Sequence, residues 1–211
     1  MPTQAAIRRE PRNTGKGIST RTGFTVIDLM ISLAVLAIIT SLALPSYRSI
    51  LEKRQVTSGA EQIGAFLSSA QFEAVKHNQF VAVKYQTTPD GWCLGMRASD
   101  SSTATCDCSS TVTDITANNA CAVDGAFRIF DSSVLNYPGV LNSASVGGVD
   151  STLVYDPVRG LTINAESAKI QLLSDESHYA LDVEVAVTGR VKICSNKDAN
   201  KDVPGYKECS S

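Results

Sequence analysis

Six cysteines, two histidines, one aspartate inside an apolar run and one short basic stretch are the residues of this 211-residue chain that could do chemistry. Cys93, Cys106, Cys108, Cys121, Cys194 and Cys209 all follow the apolar run. An even count on one side of a membrane is the pattern of disulfides made in an oxidising compartment. Zinc is the competing chemistry, and structural zinc favours C-x2-C pairs and nearby histidines. Cys106-Asp107-Cys108 has C-x-C spacing, and His77 and His178 lie far from it in sequence. Disulfides are therefore expected, and no metal. Cys194 and Cys209 would close a 16-residue C-terminal loop, removing about 3 kcal/mol of unfolded-chain entropy. Pairing among the other four is not readable from spacing. Catalysis finds no support: neither histidine accompanies a nucleophile motif, and there is no phosphate-binding glycine loop, paired-carboxylate motif or HExxH. No enzyme activity and no cofactor are expected.

The basic stretch is Gly189-Arg190-Val191-Lys192. In a strand, alternation puts Arg190 and Lys192 on one face. From Gly189 to Lys207, the cations Arg190, Lys192, Lys197, Lys201 and Lys207 stand against Asp198 and Asp202, a local excess of +3. Such a patch could contact phosphates without reading base sequence. The same charges would also protect an edge strand from unwanted pairing, and both readings stay open. Net charge is −2, with about +4 in residues 1–23 and so about −6 in the rest. That balance excludes a general nucleic-acid binder and leaves only a local site.

Several elements must position these residues. Phe24–Leu44 is 21 residues with one charge, Asp28; as a helix it spans about 30 Å, the thickness of a bilayer core. The basic stretch before it keeps the N-terminus cytoplasmic and exports the remainder. A cleaved signal peptide would have a shorter apolar region ending in small residues. Asp28 argues against a plain anchor, because an ionisable residue in a spanning helix is costly and marks function. Pro45 removes one helical hydrogen bond and should kink or loosen the helix. Val56, Ala60, Ile63, Leu67, Ala70 and Ala74 then form one apolar stripe at helical spacing, predicting an amphipathic helix to about His77. Strands are predicted at 80–85, 92–97, 126–130, 152–156, 161–164, 169–173, 179–187 and 191–194. Pro89-Asp90-Gly91 and Tyr137-Pro138-Gly139 signal turns, and residues 98–122 read as a disulfide-tied loop.

Gly23-Phe24-Thr25-Val26-Ile27-Asp28 resembles the processing motif of type IV pilins, which reads Gly, Phe, Thr, Leu, Ile, Glu. A basic leader, an acid five residues after the glycine, an apolar run of spanning length and Pro45 all belong to the likeness. It implies that a prepilin peptidase cuts between Gly23 and Phe24 and methylates the new amino terminus. It also implies that the helix packs in a filament core, with Asp28 facing a neighbour's amino terminus. A buried carboxylate and ammonium are tolerable there only as a pair. Aspartate stands where the family has glutamate and reaches about one methylene less far.

Within the pilins the chain looks like the GspH/FimT group, through residues 70–78 at the helix end, Val81-Ala82-Val83, Gly91-Trp92 and Gly189 to Cys194. The resemblance implies an α+β fold, with a long N-terminal helix packed on an antiparallel β-rich head. The expected organisation is leader 1–23, filament-core helix 24–44, amphipathic helix 45–77 and periplasmic head 78–211. Gly189-Arg190-Val191-Lys192 resembles the G-R-x-R motif with which FimT-like minor pilins bind DNA, lysine replacing the second arginine. Three functions follow: a structural minor pilin near a filament tip, a pilin that contacts double-stranded DNA through Arg190, Lys192, Lys197 and Lys201, or a GspH-like pseudopilin of type II secretion. Implied partners are other pilins or pseudopilins, the prepilin peptidase and the inner membrane before assembly.

Overall fold

The structure is a computed structural model that describes residues 23, 25–88, 91–109, 112, 114–133, 141–145, 152–163, 168–174, 178–196 and 202–209, with backbone alone at 42–45 and 141–145. Leader residues 1–22, Phe24, Lys197, Lys201, the turn residues Pro89 and Asp90, and the turn at 137–139 lie outside this set. The chain forms two compact units, Met1–Leu44 and Pro45–Ser211. One helix assignment, α1 (Val26–His77), contributes to both.

In the first unit, α1 opens with a capping box. Thr25 Oγ1 donates to Asp28 Oδ2 at 2.8 Å, Thr25 N donates to the same oxygen at 3.2 Å, and Asp28 N donates to Thr25 Oγ1 at 3.3 Å. Reciprocal bonds of this kind satisfy backbone donors that the first turn leaves unpaired.

In the second unit, the stripe Val56, Ala60, Ile63, Leu67, Ala70 and Ala74 is buried along one side of α1. Removing a side chain such as Leu67 from water contributes about 1.5–3 kcal/mol. The helix stops through a Schellman motif. Asn78 adopts φ 52°, Asn78 N donates to Val75 O at 3.4 Å, and Gln79 N donates to Ala74 O at 3.2 Å. Asparagine tolerates this left-handed conformation better than other side-chain-bearing residues. Asn78→Ala should therefore cost about 1 kcal/mol, with Asn78→Gly within about 0.5 kcal/mol of the parent; urea unfolding of the three chains checks the order.

Ten strands follow among the described residues: β1 (Phe80–Thr88), β2 (Gly91–Ser99), β3 (Ala122–Val123), β4 (Ala126–Phe127), β5 (Ile129–Asp131), β6 (Leu141–Ser145), β7 (Thr152–Tyr155), β8 (Ala168–Leu173), β9 (Ala180–Val185) and β10 (Val191–Ser195). They form two antiparallel four-stranded sheets, ordered β5-β2-β1-β7 and β10-β9-β8-β6, and the small hairpin β3-β4. The expected α+β class is met by this helix and these sheets. The core gathers Val81, Val83, Leu94, Met96, Leu153 and Tyr155 from the first sheet and Ile170, Leu181, Val183 and Val185 from the second, all against the helix stripe. Phe130 joins Phe66 and Trp92 in a cluster, with centroids 5.9 and 5.8 Å apart.

Two strand assignments need correction. Residues 161–164 were expected as a strand, but the segment makes one isolated bridge, Tyr155 with Thr162. Its donors divide between two places: Ile163 N reaches Val154 O and Thr162 N reaches Val187 O, both at 3.0 Å. The segment ties one sheet to the turn of the other and extends neither. The predicted strand at 126–130 is two short ones, broken where Arg128 N turns to donate to Cys121 O at 2.8 Å.

Candidate functional site

The first candidate is the start of α1. From Val26 to Ile39 its large apolar side chains, among them Ile27, Leu29, Met30, Ile31, Leu33, Val35, Leu36 and Ile38, are exposed, with Val26 at 75%. They are too closely spaced to share one face, so the segment is apolar all round. Its hydroxyls bond inward: Ser32 to Asp28 O at 2.7 Å, Thr40 to Leu36 O at 2.9 Å and Ser41 to Ile38 O at 2.7 Å. A helix that satisfies its polar groups internally can enter an apolar surrounding at low cost. Among the described residues no single helix is long and apolar enough to cross a membrane; Val26–Ser41 and Ser46–His77 meet the length and composition only together. Asp28 is exposed and its Oδ2 is occupied by Thr25. Gly23 is exposed.

The second candidate is the turn between β9 and β10 with the strand after it. Ala186 N donates to Arg190 O at 3.0 Å and Gly189 N to Ala186 O at 2.8 Å, closing the turn. Gly189 has φ 78°, a left-handed value that favours glycine. Space also demands it, since an added Cβ would fall on the Gly160 carbonyl oxygen and the Gln71 side-chain amide. Gln71, projecting from α1, donates through Nε2 to Gly160 O at 2.8 Å and to Thr188 O at 3.4 Å. The helix thus latches two turns, and Arg190 leaves the second of them.

Arg190 is exposed and has no ion pair among the described residues. Lys192 differs: its Nζ lies 3.9 Å from Glu184 Oε2, across the β9–β10 register. The two cations flank a shallow depression over Ala186 and Glu184. Beside them on β9, Asp182 is fully buried. It is compensated by Lys169 Nζ at 2.6 Å and by Asn196 Nδ2 at 3.0 Å, as a buried carboxylate must be. The cationic edge therefore has one arginine without an ion pair, one partly offset lysine and one lysine committed to a structural pair.

Three disulfides frame the head: Cys93–Cys108, Cys106–Cys121 and Cys194–Cys209. The first two cross and fasten the segment after β2 onto that strand's outer side, which is why Trp92 through Met96 are buried on both faces. Gly95 makes room for them. A Cβ there would fall on Cys121 Sγ, with Cys106 Sγ only 3.0 Å away. The third bridge holds the C-terminal segment beside β10, where Ser195 N donates to Lys207 O at 2.8 Å and Cys209 N to Ser195 O at 3.0 Å. Asp182, Glu184, Cys194 and Cys209 lie close enough together to suggest a metal site, but the two sulfurs are bonded to each other and offer no thiolate. Tyr206 OH donates to Glu61 Oε1 at 2.8 Å. Desolvation, then that hydrogen bond and the Glu61 charge, push the phenol up to about 12, so at neutral pH it remains a donor.

Neither histidine meets a nucleophile. His77 Nε2 sits 3.0 Å from Glu73 Oε2 and His178 Nδ1 3.5 Å from Glu52 Oε2. Neither contact has hydrogen-bond alignment, so each is an ion pair only when the imidazole is protonated.

Comparison with known proteins adds three findings. Residues 59–189 match the GspH family, described as type II transport protein GspH. Two fimbrial proteins of Pseudomonas aeruginosa are each 30% identical over 60 residues, which is 28% of this chain and 39% of theirs. The chain thus spans well under half the length of the curated relatives it matches. A crystal structure of the type IV minor pilin FimU of P. aeruginosa aligns over 71% of this chain and 98% of that one, at 14% identity and a TM-score of 0.41.

Proposed function

We propose, on the premise that this chain belongs to the GspH family, that it is a minor pilin of a type IV pilus, acting as a structural and assembly subunit near the filament tip. The observation that carries this reading is the start of α1: a segment apolar on every side, its hydroxyls satisfied internally, with one acid in the first turn. Cleavage between Gly23 and Phe24 would create an ammonium close to that acid in sequence. Asp28 Oδ1 has no hydrogen bond among the described residues and is the atom to receive a neighbour's ammonium in the filament core. Before assembly the same segment holds the subunit in the inner membrane with its head in the periplasm. The proposed work is assembly, with no bond made or broken.

Asp28→Ala tests the pairing. The variant should be processed like the parent and accumulate in the membrane fraction. Its amount in sheared filaments should fall about tenfold or more, because a buried ammonium is left without its partner. Incorporation at the parental level would reject the role given to Asp28.

A GspH-like pseudopilin of type II secretion is the second reading, favoured by the description of the matching family. Deletion separates the two: loss of pili with intact protein export supports the pilus, and the converse supports secretion. Contact of the head with double-stranded DNA is a separate reading, supported by the exposed Arg190. Duplex DNA binding by the purified chain should weaken steeply with salt. Arg190→Ala should weaken it more than Lys192→Ala, since Lys192 is partly offset by Glu184. Binding indifferent to both substitutions would remove DNA from the account.

A further inference from the structure

The flank of α1 that follows the apolar segment carries cations without a use so far. Tyr47 is 60% exposed. Arg48 and Arg54 are exposed and have no ion pair among the described residues. Lys53 stands 5.2 Å over the Tyr179 ring. Lys53 and Arg54, with the hydroxyl-bearing Thr57 and Ser58, line a depression whose opposite wall is Val203 and Pro204 of the C-terminal segment. Of the acids nearby, Glu61, which also lines the depression, accepts from Tyr206 OH at 2.8 Å, and Glu52 Oε2 lies 3.5 Å from His178 Nδ1 without a hydrogen bond to it.

We propose that this depression binds the phosphate of an anionic phospholipid headgroup while the subunit is in the membrane. The inference rests on the membrane reading of residues 24–44. Tyr47 and Arg48 follow Leu44 by three and four residues, and Lys53 and Arg54 by nine and ten. Exposed aromatic rings and long cations near the end of a span are what headgroups attract. Cations on the exported side also run against the usual charge bias of membrane proteins. Lys53 and Arg54 supply the charge, Thr57 and Ser58 supply donors, and the Val203–Pro204 wall suits the glycerol end of a lipid better than a fully hydrated free anion.

The test uses the full chain reconstituted into phosphatidylcholine vesicles containing a minor fraction of phosphatidylglycerol. Insertion is scored by resistance to alkaline carbonate. The chain is then extracted in mild detergent, and the lipid that co-purifies is analysed by headgroup. Phosphatidylglycerol should be enriched over its share of the vesicle, and inorganic phosphate should not displace it. K53Q/R54Q should insert equally well and lose about fivefold of the enrichment per charge removed. R54Q alone, which leaves Lys53 over the Tyr179 ring, should lose about fivefold. Equal enrichment in parent and variants, or displacement by millimolar phosphate, overturns the proposal and leaves the membrane reading standing. Failure of the parent chain to insert overturns both.

Discussion

Gly189→Ala is expected to destabilise the head by about 3 kcal/mol. A side-chain-bearing residue in the left-handed region costs about 1–2 kcal/mol, and Gly189 sits there at φ 78°. The new methyl must also displace the Gly160 carbonyl and the Gln71 amide. Losing the two Gln71 hydrogen bonds adds about 1 kcal/mol or more. Gln71→Ala removes the bonds without the clash and should cost only about 1 kcal/mol. Urea unfolding of the two variants beside the parent separates strain from hydrogen bonding. Parental stability in Gly189→Ala would mean that the turn can relax away from the helix, and the latch would be rejected. The outcome bears on function too. In the Gly-Arg pair the glycine answers to the fold, and the arginine alone is free to answer to a partner.

Gly95→Ala should leave Cys106 and Cys121 reduced. The methyl would occupy the space of Cys121 Sγ on the outer side of β2. Backbone relief is limited, because β2 is paired on both sides, with β1 and with β5. Losing a bridge with a sequence separation of 15 costs about 3 kcal/mol. Thiol titration of the denatured variant should find two free thiols per chain. Its unfolding midpoint should match that of the Cys106→Ala, Cys121→Ala double variant. Three intact bridges with an unchanged midpoint would falsify the steric requirement.

What could be read before the structure followed from how locally each feature is encoded. The stripe from Val56 to Ala74 depends only on helical periodicity, and all six residues are buried. The strands β1, β8 and β10 likewise follow alternation and β-branched composition. The capping box was equally local, since Thr25 and Asp28 stand in T-x-x-D spacing. The charge of Asp28 inside an apolar run is the louder signal and hides this second role. Gln71 carries no such signal, because it meets Gly160 and Thr188 across separations of 89 and 117 residues. Gly95 carries no local signal either, because the sulfurs that crowd it come from a later loop. The buried Asp182 was equally hidden, because its compensation comes from β8 and from Asn196 beyond β10. The strand expected at 161–164 does not form over the described residues 161–163, because alternation reports exposure, while this segment spends its donors on two different partners.

The crossing of Cys93–Cys108 with Cys106–Cys121 has a consequence for maturation. A chain oxidised in order of emergence would meet Cys106 before Cys108, and Cys93 would take the nearer sulfur. The uncrossed product differs from the native one only by exchanging two cysteines one residue apart from a shared neighbour, Asp107. Loop entropy barely distinguishes the two products, because closure cost changes slowly with length. Selection between them falls to the bare surface at Gly95, which admits the sulfurs of Cys106 and Cys121 together. Between two bridge patterns of nearly equal loop cost, the missing side chain of a single residue therefore separates the correct isomer from its near twin.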